Sequence, residues 1–117
     1  MNTQQIANRL KELLQQGQFE TAQKELLADN ALSIEPAISG LPAIKGIDAI
    51  LEKGANFRNS VEQFHTISVS DPVVSYNHIA IALKVELTFK GMEKTTMDEI
   101  IVYQVKDGKI IHEQFFY

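Results

Sequence analysis

Glutamates with apolar neighbours are the side chains in this sequence that could do acid/base chemistry. Glu99 and Glu113 lie in the C-terminal segment, where strand alternation predicts that they share faces with large apolar residues. Those neighbours are Met97, Ile101, Tyr103 and Val105 for Glu99, and Ile111, Phe115 and Tyr117 for Glu113. A carboxylate on a buried face is costly unless it is paired or neutralised. A cavity beneath these strands would explain both residues.

Glu35 is a third acid, and it directly precedes Pro36. Proline restricts the residue before it to an extended conformation, so Glu35 is predicted at the end of a short strand. A carboxylate held there could act as a general base. The alternative is a solvated acid at the pocket's rim. Glu35 and Glu113 are the predicted catalytic residues. Glu99 could share a proton with Glu113 if both lie on the concave face, or pair with His65, and the alternative is that Glu99 stays solvated near the sheet's margin.

Other polar and aromatic side chains are predicted to contact a ligand. Tyr103 and Tyr117 offer hydroxyl donors, and Met97 would be a flexible apolar filler at the pocket mouth. His65 alternates with Ile67 and Val69 on an apolar face, a setting in which histidine is more often structural than catalytic. The predicted ligand-binding residues are His65, Met97, Glu99, Tyr103 and Tyr117. No spacing resembles a metal site, and neither a metal nor a cofactor is predicted.

The apolar spacing predicts the elements that position these residues. Helices are expected at residues 3–16, 18–28 and 46–59, with a capping box at Asn2 and Gln5. A short strand at 30–36 and a loop at 37–45 lie between the second and third helices. The chain is expected to be all strand after Ser60, first up to the turn at Asp71-Pro72, with alternation over 65–70, and then at 73–90 as one long strand. The chain closes with a hairpin, Thr95 to Tyr117, around Asp107-Gly108. The fold class is α+β, with three N-terminal helices packed on a strongly curved, mainly antiparallel sheet.

Composition limits the classes of partner. A chain of 117 residues with 44% hydrophobic residues suits a single domain spanning 1–117. The absence of cysteine excludes disulfides and thiolate catalysis. The net charge of −4, without a basic stripe, argues against nucleic acid and anionic membrane as partners. The N-terminus lacks a signal-peptide pattern and no apolar run could span a membrane, so a cytoplasmic location is expected.

Several stretches carry a family resemblance. They are Leu-Ala-Asp-Asn-Ala before the short strand, Ile-Glu-Pro at its end, Lys-Gly-Ile-Asp-Ala-Ile at the third helix, and Val-Tyr-Gln-Val-Lys-Asp-Gly-Lys-Ile near the C-terminus. With the order of elements, these stretches resemble the nuclear transport factor 2-like superfamily, and its SnoaL-like branch in particular. The resemblance implies a cone with a central apolar pocket, commonly dimeric. Its members include isomerases, cyclases, dehydratases, hydrolases and binding modules, so the fold alone does not imply an activity.

Ketosteroid isomerase, a member of that superfamily, allows a comparison by residue. Its general-base aspartate precedes a proline, and Glu35 stands at the matching place. Its oxyanion hole uses a tyrosine and an aspartic acid, where this sequence has Leu10 and Ile101. Without these donors an enolate is not stabilised, so steroid isomerisation is not expected. SnoaL-like cyclases use a late pocket aspartate, and Glu113 is the nearest acid on the matching face.

The predicted function is the binding of a small, largely apolar or neutral molecule in the pocket. Acid/base turnover of isomerase, cyclase or lyase type, by Glu35 or Glu113, is an open extension of this prediction. The alternative is a non-catalytic module for dimerisation or partner binding, with its pocket filled by its own side chains. A homodimer through the sheet's outer face is expected, because Ala80, Ala82 and Thr88 would allow close approach.

Overall fold

Three helices and one seven-stranded sheet make up the fold, in a computed structural model that describes residues 1–117. The helices are α1 (Thr3–Gln15), α2 (Phe19–Leu26) and α3 (Ile47–Ser60). The strands are β1 (Leu27–Ile34), β2 (Ile44–Lys45), β3 (Val61–Val69), β4 (Val73–Ser75), β5 (His78–Phe89), β6 (Lys94–Lys106) and β7 (Lys109–Phe116). A 3-10 turn, Ala37–Ser39, lies between β1 and β2. No helix has both the length and the apolar content needed to cross a membrane.

Helix α1 begins where the sequence predicts and ends one residue earlier, at Gln15. The Asn2 side chain accepts a hydrogen bond from the Gln5 backbone N–H at 2.8 Å, and the Asn2 backbone N–H donates to the Gln5 side chain at 2.9 Å. This capping box satisfies donors that the first turn of a helix leaves free. Gly17 follows the helix with a φ of 72°, which glycine adopts without steric cost. The apolar stripe of α1 is buried: Ile6, Leu10, Leu13 and Leu14.

The sheet places the helices on one face. Its strand order is β2-β1-β7-β6-β5-β3, with β4 paired to β5, and only the β1–β7 pair is parallel. The predicted α+β fold with a mainly antiparallel sheet is confirmed. So is the predicted inner face, since Ile81, Leu83, Val85, Ile101 and Tyr103 are all buried. Lys84 lies on the opposite face and is exposed.

The single long strand predicted at 73–90 is wrong. The chain turns at Tyr76 and Asn77, and Ser75 pairs with His78 across this turn. Tyr76 has a positive φ of 50°, a conformation that alternation of apolar residues does not reveal. The predicted loop 37–45 also contains the 3-10 turn and β2, and β1 begins at Leu27 rather than Asn30.

Two irregularities in strand pairing change which side chains face inward. In β3 the register shifts between Phe64 and Thr66, so half-buried Phe64 faces the helices and His65 is exposed. In the closing hairpin the register shifts after Gln104, and Ile110 takes the buried place predicted for Ile111. A bulge adds one residue to a strand and reverses the alternation beyond it. The predicted inward faces of His65 and Ile111 are therefore wrong.

Candidate functional site

A cavity of about 370 Å³ lies between the helices and the inner face of the sheet. Of the 24 residues that line it, 17 are hydrophobic. Cavities of this size and lining are typical of sites for small molecules. The apolar wall includes Leu10, Leu14, Ile50, Leu83, Val85, Ile101 and Ile110. Leu10 and Ile101 stand at the ketosteroid isomerase donor positions, and both present apolar side chains to the cavity with no hydrogen-bond donor.

Three carboxyl groups and one lysine converge on this cavity. Glu35 directly follows β1, Glu113 lies in β7 and Glu99 lies in β6, and these three strands are neighbours in the sheet. Lys53 reaches the same region from α3. The parallel β1–β7 pairing sets Ser33 beside Glu113, and Glu35 lies two residues beyond Ser33 on the same side of the strand. The sheet topology therefore assembles acids that are far apart in sequence.

Glu35 is held by both of its carboxylate oxygens. Its Oε1 lies 2.5 Å from the Lys53 ammonium nitrogen, and its Oε2 accepts a hydrogen bond from the Tyr117 hydroxyl at 3.0 Å. The same ammonium lies 3.4 Å from the Ser33 hydroxyl oxygen and 5.1 Å from the centre of the Phe115 ring. Only 10% of the Glu35 side chain is exposed. Lys53 is thus the counter-charge of an ion pair that is largely removed from water.

Glu113 is the most buried acid of the group, with 5% of its surface exposed. Burial raises the pKa of its carboxyl above the ordinary value, because the charged form loses its hydration. The Ser33 hydrogen bond and the charge of Lys53 oppose this rise, and the charge of Glu35 adds to it. Glu113 therefore favours its neutral form more than an exposed glutamate does.

Glu99 also lines the cavity, and so does not take the solvated position at the sheet's margin that the sequence left open as an alternative. It is partly buried. Burial is the main reason that its pKa rises to about 7. The charges of Glu35 and Glu113 add to the rise, while that of Lys53 opposes it. A carboxyl group with this pKa exchanges protons near neutral pH.

The aromatic and thioether residues lie at different depths. Tyr103 is 3% exposed, and burial raises the pKa of its hydroxyl well above 10. Tyr117 lies at the rim, where partial burial and its hydrogen bond to Glu35 raise its pKa. Met97 is half-buried in the cavity wall. These residues give the cavity hydroxyl groups at its base and at its mouth.

His65 lies outside the cavity. Its side chain is exposed, and its Nε2 is 2.7 Å from the Thr88 hydroxyl oxygen on β5. The bulge after Phe64 turns the histidine away from the helices. His65 is therefore not brought together with the other predicted ligand-binding residues.

Sequence reasoning missed three polar residues of the cavity: Lys53, Arg58 and Gln23. A signal for Lys53 was present, because it lies three residues after Ile50 and four before Phe57, within the apolar stripe of α3. No group of three or more His, Asp or Glu side chains is arranged to hold a metal ion.

Comparison with known proteins agrees with this architecture. The family model described as SnoaL-like domain matches residues 1–117. No protein of curated function matches the chain. A crystal structure of a candidate SnoaL-like polyketide cyclase, also described as carbohydrate phosphatase, from Mesorhizobium loti is 33% identical to this chain. The match covers 100% of both chains with a TM-score of 0.93.

Two more distant structures share the fold. A protein from Catenulispora acidiphila with a ketosteroid isomerase-like fold, in complex with trimethylamine, is 15% identical, with a TM-score of 0.77 over 99% of this chain and 87% of that one. TerC, co-crystallised with polyporic acid, is 12% identical, with a TM-score of 0.79 over 98% and 90% of the two chains. At these identities the comparison shows a common fold and nothing about function. The family match over the full length and the 33% identical structure show that this chain belongs to the SnoaL-like domain family.

Proposed function

We propose that this protein binds a small, largely apolar molecule in its central cavity and transfers a proton to or from it. The observation that carries the proposal is a buried carboxyl group, Glu113, facing an apolar cavity of about 370 Å³. Burying a carboxyl group costs free energy, and the binding of a hydrocarbon alone would gain nothing from that group. Acid/base catalysis does need one, with its pKa moved toward the working pH.

Within this proposal the acids have different roles. Glu113, whose carboxyl pKa is raised by burial, donates a proton or a hydrogen bond to an oxygen of the ligand. Glu99, with its pKa of about 7, takes up and releases the proton that moves during turnover. Both oxygens of Glu35 are engaged, by Lys53 and Tyr117. Glu35 therefore holds the positive charge of Lys53 beside the cavity. Proton transfer of this kind serves isomerase, cyclase and lyase reactions alike.

The alternative, a non-catalytic module whose pocket is filled by its own side chains, is less well supported. The cavity remains open although Leu83, Val85 and Ile101 are packed in its wall. Trimethylamine and polyporic acid, the small molecules found with two structures of the same fold, are consistent with a binding role for such cavities.

Binding can be tested with naphthalene as a minimal apolar probe. In an NMR titration we expect chemical-shift changes at residues that line the cavity, such as Val85 and Ile101. Val85→Phe adds volume inside the cavity and should weaken this binding, whereas Lys84→Met, on the opposite face of the same strand, should not. Shift changes confined to the outer face of the sheet, or none at all, would contradict the proposal.

Proton transfer can be tested with 2-tetralone, an apolar ketone with exchangeable protons beside its carbonyl group. The wild-type protein should accelerate exchange of these protons with deuterated water, and Glu113→Gln should reduce the acceleration by about a hundredfold or more, as is usual on loss of a general acid or base. Glu86→Gln, on the outer face, is the matched control. Equal acceleration by wild type and Glu113→Gln would show that Glu113 is not the acid.

We further propose that the outer face of the sheet forms a homodimer. Ile100 and Phe116 are cross-strand neighbours on this face and are 51% and 47% exposed. Ala82 pairs with Ile100 and leaves room for a second sheet. An isologous contact would bury this patch against its own copy. Glu86, on the same face, is bound to Lys94 within the chain at 2.9 Å.

Sedimentation velocity at about micromolar concentration should therefore show a dimer. Ile100→Glu should shift the protein to monomer, because it would place two like charges in the desolvated centre of the interface. Met92→Glu, in the exposed turn between β5 and β6, introduces the same charge elsewhere and should leave the dimer intact. A wild-type monomer under these conditions would refute this interface.

A further inference from the structure

The cavity has a second polar group, apart from the carboxyl cluster, where α2 faces α3. It consists of Gln23 on α2 and Arg58 on α3, which approach each other over Gly54. A Cβ atom on residue 54 would lie 3.1 Å from the Gln23 Oε1 and 3.1 Å from the Arg58 Nη1. The absence of a side chain at Gly54 thus leaves space in which both polar groups reach the cavity.

The hydrogen bonding of this group is incomplete. The Gln23 Oε1 is buried and has no donor, a state that costs free energy unless a partner arrives. Arg58 contacts a single acid, Glu20, at 3.4 Å, and Glu20 is bound more closely by Lys24 at 2.8 Å. A guanidinium has five N–H donors. The Gln23 oxygen, which lacks a donor, therefore lies beside the Arg58 guanidinium, which has N–H donors without partners.

Three aromatic rings line the cavity from the same two helices, α2 and α3, and from β3. Phe64 lies between Phe19 and Phe57, with ring centres 6.0 and 6.5 Å away, and all three line the cavity. Phe19 is one helical turn before Gln23, and Phe57 immediately precedes Arg58. Clustered aromatic rings favour another aromatic ring in an offset or edge-on arrangement. The polar pair thus lies next to a place suited to an aromatic ligand.

We propose that Gln23, Arg58 and the phenylalanine cluster form a subsite for a hydroxylated aromatic ring. The ring packs against Phe19, Phe57 and Phe64. Its hydroxyl oxygen accepts a hydrogen bond from Arg58, and its hydroxyl hydrogen donates to the Gln23 Oε1. A single hydroxyl group therefore supplies a donor for the Gln23 oxygen and an acceptor for the Arg58 guanidinium. A carboxylate could bind Arg58 but would leave the Gln23 oxygen without a donor, and an ammonium group would be repelled by Arg58.

This inference rests on the proposed function, because it assigns one end of the ligand bound in the cavity. It goes beyond that proposal by naming the ligand's chemical class, a phenol or an enol on an aromatic frame. It also assigns a binding role to side chains that come from α2 and α3, whereas the proton-transfer residues come from the sheet.

Calorimetric titration with 2-naphthol and with naphthalene tests the subsite, since the two probes differ only in the hydroxyl group. The wild type should bind 2-naphthol about tenfold more tightly, the usual effect of a hydrogen bond to a charged partner. Gln23→Leu and Arg58→Met should each remove most of this preference, measured as the ratio of the two affinities in the same variant. Lys84→Met removes a positive charge on the outer face and should leave the preference for 2-naphthol unchanged. Gln23→Leu serves alone if loss of the Arg58–Glu20 contact affects folding.

The outcomes separate the subsite from the function on which it rests. Equal affinity of the wild type for both probes, or a preference that survives in Gln23→Leu and Arg58→Met, would overturn the subsite and leave the apolar cavity as the binding site. Failure of the wild type to bind either probe would overturn both proposals. A preference that is lost in the two variants and kept in Lys84→Met would support the subsite.

Discussion

Replacing Lys53 with Met is expected to destabilise the protein by about 3 kcal/mol near pH 8, the low end of the range for breaking a buried ion pair. Glu35 would lose its counter-charge while only 10% of its side chain is exposed. Glu99 and Glu113 would lose the cation that lowers their pKa. The low end applies because Lys53 itself is 26% exposed and water screens part of the pair. Methionine keeps most of the hydrocarbon stem, so lost packing contributes little.

Urea unfolding at two pH values measures this effect. The loss should be smaller near pH 5 than near pH 8, because Glu99 and Glu113 are then more fully protonated. The double variant Lys53→Met with Glu35→Gln should recover more than half of the loss, since it removes the unpaired charge. Lys84→Met, on the exposed outer face, should stay within about 0.5 kcal/mol of wild type. A Lys53→Met variant as stable as wild type near pH 8 would contradict the charge balance described here.

Replacing Glu99 with Gln is expected to remove much of the pH dependence of stability between about pH 5 and pH 8. The folded-state pKa of Glu99 is about 7, above the ordinary value of 4.5, mainly because of burial. A raised pKa means that the folded protein holds this proton more tightly than the unfolded chain does. Stability is therefore complete below the unfolded pKa and falls as the pH rises through 7. The loss should reach about 2 kcal/mol, after allowance for partial contact of Glu99 with water.

Thermal unfolding across this pH range provides the measurement. Wild type should lose several degrees of Tm from about pH 5 to pH 8, and Glu99→Gln should show a flatter profile. Glu113, whose pKa is also raised, leaves some residual slope in the variant. Glu52→Gln, on the exposed side of α3, is the control and should follow wild type. Identical slopes for Glu99→Gln and wild type would mean that Glu99 is not desolvated.

Much of the candidate site was predictable where local rules apply. The Asp107-Gly108 turn is flanked by two strands, β6 and β7, as predicted. Alternation along β6 then places Glu99 and Tyr103 on the inner face, because no irregularity intervenes between them. Glu35 before Pro36 follows the same kind of rule, since proline restricts the backbone beside it. Each of these inferences depends on residues that are neighbours along the chain.

Other inferences failed where the structure depends on pairing between strands. Strict alternation of side chains along a strand places His65 and Ile111 on the inner face. A bulge in each strand adds one residue and reverses this alternation. Whether a bulge forms depends on the partner strand and the core packed against it, and neither is a property of the local sequence. The turn at Tyr76 and Asn77 was missed for a related reason, because β4 exists only as a partner of β5.

By itself, the sequence determined the elements that follow from local chemistry. These are the cap at Asn2, the closing hairpin and the one-sided apolar pattern of β5, which together predict helices on one face of a sheet. Only the tertiary structure decided which polar and charged side chains come into contact. Lys53 binds Glu35, and Gln23 faces Arg58 across Gly54, because α3 docks against β1 and α2. Such contacts depend on how separate elements pack, and helix periodicity carries no information about the partner on the other side of a cavity.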